Sequence, residues 1–352
     1  MISARVVARA AVVGAMVMLL AAGAARADTH APWPADWNNW SDPALWVPVG
    51  NPGNAPDTRY NGVSVGAVAY TFNMGKFEVT AGQYATFLNA VAKTDTYGLY
   101  NTNMDTAVDS YGCNIKRTGS SGNCTYSVAS DWANRPVNYV SWGDAARFAN
   151  WLHNGQPTGP QNAGTTEDGA YFLNGATSDA ALMAVTREAD WKWAITSGDE
   201  WHKAAYHKND GVTGNYFDYP MGSDSVPSNV LGNPTDPGNN ATFYSNGYTI
   251  GSPYWRTEVG DHENSDSPYG TFDQGGNVSE WTEAVIGSDR GLQGGWLSDH
   301  YGFLHAASRY GLYPSSETDF IGFRVSEVPE PATLVLLAAG AAALVARRRK
   351  KN

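Results

Sequence analysis

Apolar positions recur at helical spacing in three stretches of this chain and in few other places. Tyr84, Phe87, Leu88 and Val91 share one face of a helix predicted over Ala81–Ala92, with Thr80 as its N-cap. Ser141 likewise caps a helix over Trp142–Leu152, with Trp142, Ala145, Ala149 and Leu152 facing inward. A shorter helix over Asp199–Tyr206 carries Trp201, Ala204 and Ala205. Val63–Phe72 is rich in β-branched and aromatic residues and predicts a strand. Val185–Ala194 fits a helix or an insertion equally well. Asp28 to about Asp57 is rich in Pro and Trp without alternation and reads as an extended lead-in segment, which runs to residue 65. Beyond Asn209 the pattern predicts only short strands and turns, marked by Asn-Gly at 246–247, Asp-Gln-Gly-Gly at 273–276 and Gly-Gly at 294–295.

The two ends follow a different logic. Residues 1–27 hold Arg5 and Arg9, an apolar run from Ala10 to about Ala25, and a small-x-small site at Ala25-Arg26-Ala27, the layout of a secretory signal peptide. A membrane anchor is the weaker alternative, because the run is short and ends in a good cleavage site. At the other end, residues 327–352, Pro329-Glu330-Pro331 precedes an apolar run from Ala332 to Ala346 and the basic cluster Arg347–Lys351. That run nearly spans a bilayer and would keep its basic tail on the cytoplasmic side. The tripartite order resembles a PEP-CTERM sorting signal, which implies an inner-membrane anchor that an exosortase-type enzyme cuts, releasing or transferring the protein. A plain tail anchor is the competing reading. Either way the intervening domain faces outward, in the cell envelope or beyond.

Setting the signals aside changes the charge. The chain has 23 Lys+Arg and 34 Asp+Glu; eight of the bases and one acid lie in the signals, leaving 15 against 33 and a net −18 over residues 28–328. Such a domain has no long-range attraction for nucleic acid and suits calcium and neutral or cationic partners. Cys113 and Cys124, the only cysteines, bracket a ten-residue Gly/Ser-rich loop, and an even count in an exported chain favours a disulfide over a reactive thiol pair.

Five ordered blocks carry a family resemblance: Met74-Gly75-Lys76-Phe77-Glu78-Val79-Thr80, Arg135–Ala145, Ile195–Ala205, Tyr219-Pro220-Met221-Gly222, and the run Gly275-Gly276-Asn277-Val278-Ser279-Glu280-Trp281, Gly294-Gly295-Trp296, Ile321-Gly322-Phe323-Arg324. Over roughly residues 66–326 they resemble the formylglycine-generating enzymes, the sulfatase-modifying-factor domain. The resemblance implies an α+β fold related to C-type lectins: one irregular domain with little regular secondary structure.

The same resemblance sets the site expectations. By position, calcium would be held by Asp273 and Glu280 side chains and the Gly276 and Val278 carbonyls, a hard-cation ligand set. The bare alternative is a metal-free turn in which Glu280 pairs with Arg324. A second calcium site would use Asn229, Val230, Asn246 and Tyr248, against an equally plausible Asn-Gly turn. Active relatives bind copper(I) through two cysteines, but the matching positions here are Asp299 and Leu304, neither of which supplies a thiolate. Formylglycine chemistry is therefore not expected. Asp299, His300 and His305 lie in the loop that should line the pocket and would suit iron or zinc, although ordinary loop histidines are the simpler reading. Trp142, Trp201, Trp281 and Trp296 read as core, with sugar stacking as an alternative for one or two. The favoured function is a non-catalytic binding or surface-matrix module for a polysaccharide or protein ligand. Its rival is a non-haem-iron type oxidase with an altered site.

Overall fold

The computed structural model describes residues 34, 36–60, 62–231 and 238–328; the expected signal peptide and C-terminal anchor lie outside the described residues. Among the described residues there are four α-helices: α1 (Ala81–Val91), α2 (Trp142–His153), α3 (Asp179–Ala184) and α4 (Gly198–Tyr206). The three helices predicted from periodicity appear within a residue of their expected ends, and each begins with a capping box. Thr80 pairs with Gln83, Ser141 with Asp144 and Ser197 with Glu200, so backbone donors that an isolated helix end leaves open are satisfied by side chains. The short α3, capped by Ser178, carries no amphipathic pattern of its own.

Strands β1 (Trp46–Val49), β2 (Phe72–Gly75), β5 (Trp193–Ile195) and β10 (Val325–Glu327) form an antiparallel sheet in the order β1-β2-β10-β5. The first thus comes from the lead-in segment, pairing Trp46 with Gly75 through Val49 with Phe72. Four residues including a proline are too few to show alternation in sequence. A second sheet runs β8-β7-β6-β9, built from β6 (Ser279–Ile286), β7 (Asp289–Gln293), β8 (Tyr310–Leu312) and β9 (Ile321–Gly322). β6 and β9 run parallel there, while its other pairs are antiparallel. β3 (Lys116–Thr118) and β4 (Thr125–Ser127) make a separate hairpin.

The strand expected over Val63–Phe72 is a correction: only Phe72 belongs to one, and Val65 makes an isolated bridge to Asp57. Side chains take the backbone groups that a ladder would need. Gly66, at φ +84°, donates its N–H to Asp199 Oδ1 and its carbonyl accepts from Asn54 Nδ2. Residues Val185–Ala194, left open by the sequence, run without helix from α3 into β5.

The largest core lies between α1, α2 and the second sheet, around Tyr84, Phe87, Phe148 and Trp281. α2 is buried on every face from Trp142 to Leu152, so even its polar residues need partners. Arg147 pairs with Glu167 at 2.7 Å, and Asn150 Nδ2 donates to the carbonyls of Thr166 and Tyr171. A second cluster packs α4 through Trp201, Ala204 and Ala205 onto β1 and β2.

The expected disulfide is also corrected, since both thiols are free and buried. The β3–β4 register pairs Thr118 with Thr125, so one further step sets Cys124 opposite Gly119, not Cys113. Both cysteines belong to the large core, and burial pushes the Cys113 thiol pKa up.

Candidate functional site

The glycine turn before β6 reaches its shape through left-handed backbone. Asp273 (φ +58°), Gly276 (+90°) and Asn277 (+57°) all adopt it. At Gly276 a Cβ would lie 2.1 Å from the Thr242 carbonyl oxygen, so no side chain fits there. Asn277 then ties the turn to its surroundings. Its N–H donates to Thr242 O, its Oδ1 accepts from the Thr257 N–H, and its Nδ2 donates to Glu78 Oε2 at 3.3 Å.

This turn gathers three acids about one base. Glu280, at the start of β6, is fully buried and receives Arg324 side-on: Nε to Oε2 at 2.6 Å and Nη2 to Oε1 at 2.7 Å. Trp201 Nε1 on α4 donates to the same Oε2 at 2.8 Å. Arg324 also donates to the carbonyls of Gly75 and Phe272, which locks the two sheets and the turn together. Glu78, just ahead of α1, is buried beside them and accepts from the Val278 N–H at 3.3 Å. Burial, with the charges of Asp273 and Glu280, pushes the Glu78 carboxyl well above its usual range. Burial also raises Asp273 to about 7, against the Gly260 N–H and Arg324, which pull it down. Fully ionised, Glu78, Asp273 and Glu280 against Arg324 leave two negative charges uncompensated. Two protons or one divalent cation would balance them.

Whether calcium fits depends on which oxygens stay open. Both Glu280 oxygens are held by Arg324, the arrangement expected of the metal-free turn. Asp273 lies at a small polar pit shared with Asn240, Ser265, Thr271 and Gln274, with about 230 Å³ of free space including its mouth. Among the described residues no three Asp, Glu, His or Cys side chains converge to hold a metal. Calcium here would therefore rely on Asp273 and on carbonyls such as those of Gly276 and Val278, with the cluster's net charge as the attraction.

The weaker second site is assembled around Asn229. Its Nδ2 donates to the carbonyls of Phe243, Ser245 and Gly247 at 2.9–3.4 Å, so three carbonyl oxygens converge on one amide. Asn246 is exposed at the loop tip, Val230 is exposed, and Tyr248 turns away to pack on Tyr244 and Trp255.

The two replaced cysteine positions do come together. A Cβ built on Gly295 would lie 3.2 Å from Asp299 Oδ2 and 3.2 Å from Leu304 Cδ1, so both side chains flank one point. Leu304 is fully buried with Tyr219, Ala241 and Phe243. Asp299 is part-buried, which raises its carboxyl to about 6, and its Oδ2 accepts from the Trp296 N–H at 3.2 Å. Among the described residues Asp299, His300 and His305 do not form a three-ligand group. Each member serves its own turn. His300 Nδ1 accepts from the Gly302 N–H and His305 Nδ1 from the Ala307 N–H, while the His305 ring packs on Tyr60 and Tyr219.

Sequence reasoning passed over Glu78 and Trp201 as members of the site, although both stand in quoted family blocks. An acidic residue inside an otherwise apolar helix approach (Phe77-Glu78-Val79) was the available signal.

A mixed α+β domain whose glycine turn is tied to a buried Glu280–Arg324 pair, with no thiol at Asp299 or Leu304, defines the class. The family profile described as "Sulfatase-modifying factor enzyme 1-like domain" matches residues 43–328, and the chain belongs to that family. A "PEP-CTERM protein-sorting motif" matches residues 327–350, so the protein is exported, sorted at the membrane and processed by an exosortase-type enzyme. No curated relative matches the chain. Among solved structures it is similar to CarF (22% identity, 81% of this chain and 98% of that one, TM-score 0.47). It is also similar to Treponema denticola variable protein 1 (17%, 81% and 95%, 0.49) and to PvdO from Pseudomonas aeruginosa (18%, 81% and 91%, 0.45).

Proposed function

We propose that this domain is a non-catalytic binding module, braced by calcium and displayed at the cell envelope for a polysaccharide or protein ligand. The observation that carries the reading is the pair at Gly295: a carboxylate and a buried leucine meet where copper(I) chemistry needs two thiolates. Support for calcium comes from the two uncompensated charges of the Glu78–Asp273–Glu280–Arg324 cluster, together with the three carbonyls that converge on Asn229. Calcium would supply positive charge and cross-link the turn to the core; no chemical step runs through it.

The test is a thermal midpoint measured with calcium and with chelator on the exported domain, beside Asp273→Ala and Asn229→Ala. Calcium at about a hundredfold over its Kd should add about 2.7 kcal/mol, lost in part in each variant. Equal midpoints with calcium and chelator would sink the brace. One equivalent of iron, copper or zinc that disappears on replacing His300 and His305 would sink the non-catalytic reading.

A further inference from the structure

The chain leaves the fold at the end of β10 with almost no slack. Glu327 pairs with Trp193 of β5 and accepts from Asn73 Nδ2 of β2 at 2.8 Å, and the Val328 N–H still donates to the Lys192 carbonyl at 3.0 Å. Pro329-Glu330-Pro331 follows at once, and the apolar run begins at Ala332. From Val328 to Ala332 a fully extended chain reaches about 14 Å at most. The headgroup zone of a bilayer takes up about 5–8 Å on each side of the hydrocarbon. With Ala332 at the edge of the hydrocarbon, the Val328 end of the sheet lies among the headgroups or within about 9 Å of them.

The rim of the sheet at that end carries the residue types that a membrane interface accepts. Tyr70, two residues before β2, is 42% exposed, and its ring meets that of Trp191 edge-on at 6.4 Å. Trp191 is half-buried, with the Arg187 guanidinium 4.0 Å from its ring centre, and it is followed by the exposed Lys192. Thr71 is exposed beside them. Tyrosine, tryptophan and lysine join an apolar body to a polar tip, so they settle where hydrocarbon gives way to headgroups. The Tyr70 hydroxyl is already satisfied by Glu200 Oε1 at 2.6 Å, so its exposed ring can leave water without losing that hydrogen bond. Asp190 and Lys192 flank Trp191 with opposite charges on a domain of net −18. Apolar contact, rather than attraction to anionic lipid, is what this rim has to offer.

We propose that this rim, through Tyr70, Thr71, Trp191 and Lys192, is a docking surface for the bilayer that holds the chain's own apolar run, and that it seats the domain on the membrane until the processing enzyme cuts. It rests on the sorting motif and not on the binding-module reading, which stands whatever the outcome. Lys192→Cys takes a nitroxide label selectively, because Cys113 and Cys124 are buried. Val108→Cys, at a position 61% exposed in the loop ahead of Tyr111, serves as the reference label. The chain from residue 28 to 352 would be reconstituted in phosphatidylcholine vesicles, and each label's collisions with oxygen and with a water-soluble nickel chelate read by electron paramagnetic resonance. The label at Lys192 should meet nickel severalfold less often than the one at Val108, and oxygen more often. Trp191→Gln should restore most of the nickel collisions at Lys192, with the thermal midpoint in detergent unchanged. Equal nickel collisions at the two positions, or a protected Val108 beside an open Lys192, overturns the proposal. Protection that survives Trp191→Gln overturns it too, because the short tether alone would then hold the domain in place. Protection that needs the processing enzyme in the same vesicles assigns the rim to that enzyme and likewise overturns it.

Discussion

Arg324→Met should be among the most damaging single changes in this domain. The guanidinium is fully buried, makes two hydrogen bonds of 2.6 and 2.7 Å to Glu280, and also serves the carbonyls of Gly75 and Phe272. Removing one partner of a buried ion pair costs about 3–5 kcal/mol, because the other charge is left without compensation. Here Glu280 would be left with Glu78 and Asp273 as well, three acids and no base. At about 2 °C per kcal/mol for a domain of this size, the thermal midpoint should fall by roughly 6–10 °C in chelator. Two controls separate electrostatics from packing. Glu280→Gln/Arg324→Met removes both charges and should recover more than half of the loss, a coupling read from the double-mutant cycle. Calcium should shrink the Arg324→Met loss, since a dication supplies the missing charge. Denaturant titration followed by tryptophan fluorescence reads all four proteins. A loss under about 1 kcal/mol in the single variant, or a double variant as unstable as the two singles added together, would refute the reasoning.

Other outcomes follow from single contacts. In chelator the unmutated domain should lose stability as pH rises from about 4 to 7: Asp273, raised from 3.8 to about 7, holds its proton more tightly folded than unfolded, so its contribution is full below 4 and gone above 7. Asp273→Asn should flatten that slope in pH-dependent denaturation; an unchanged slope counts against the cluster. Lys203, whose Nζ donates to Asn51 O, has the opposite sign, because burial lowers it from 10.5 to about 8. Its penalty is full below pH 8 and gone near 10.5, so stability should climb across that window by up to about 1.4 kcal/mol per unit, and Lys203→Met should abolish the climb. Ser141→Ala breaks a buried capping box and should cost about 1–2 kcal/mol, read as a lower denaturant midpoint at constant slope. Asp299→Cys/Leu304→Cys should bind copper(I) in competition with a chromophoric chelator, because both positions flank one point at Gly295, whereas either single variant should not. Comparable binding by the singles would show that the two positions do not act as a pair.

Where local chemistry set the structure, the sequence was enough. The caps Thr80, Ser141 and Ser197 and the apolar faces behind them placed α1, α2 and α4 almost to the residue, because a helix end is decided within one turn. The glycine blocks likewise marked the turn at Gly276 and the pair of positions at Asp299 and Leu304. The family, its sorting motif and its missing thiols were all legible in residue identities.

Tertiary contacts decided the rest. β1 exists because Phe72–Gly75 offers it a partner, while Val63–Phe72 lost its strand to the side chains of Asn54 and Asp199, which lie far away in sequence or across a loop. Cys113 and Cys124 are both free, although both are buried in the same core. The acid cluster was half-visible: Asp273 and Glu280 stand seven residues apart on one turn, but Glu78 is about two hundred residues away and joins them only when its segment packs on Asn277 and Val278. Charge adds over distance in space and not over distance in sequence. Residue identities therefore determined which positions of this chain carry no thiol, and only the folded chain determined which charges must share one buried place.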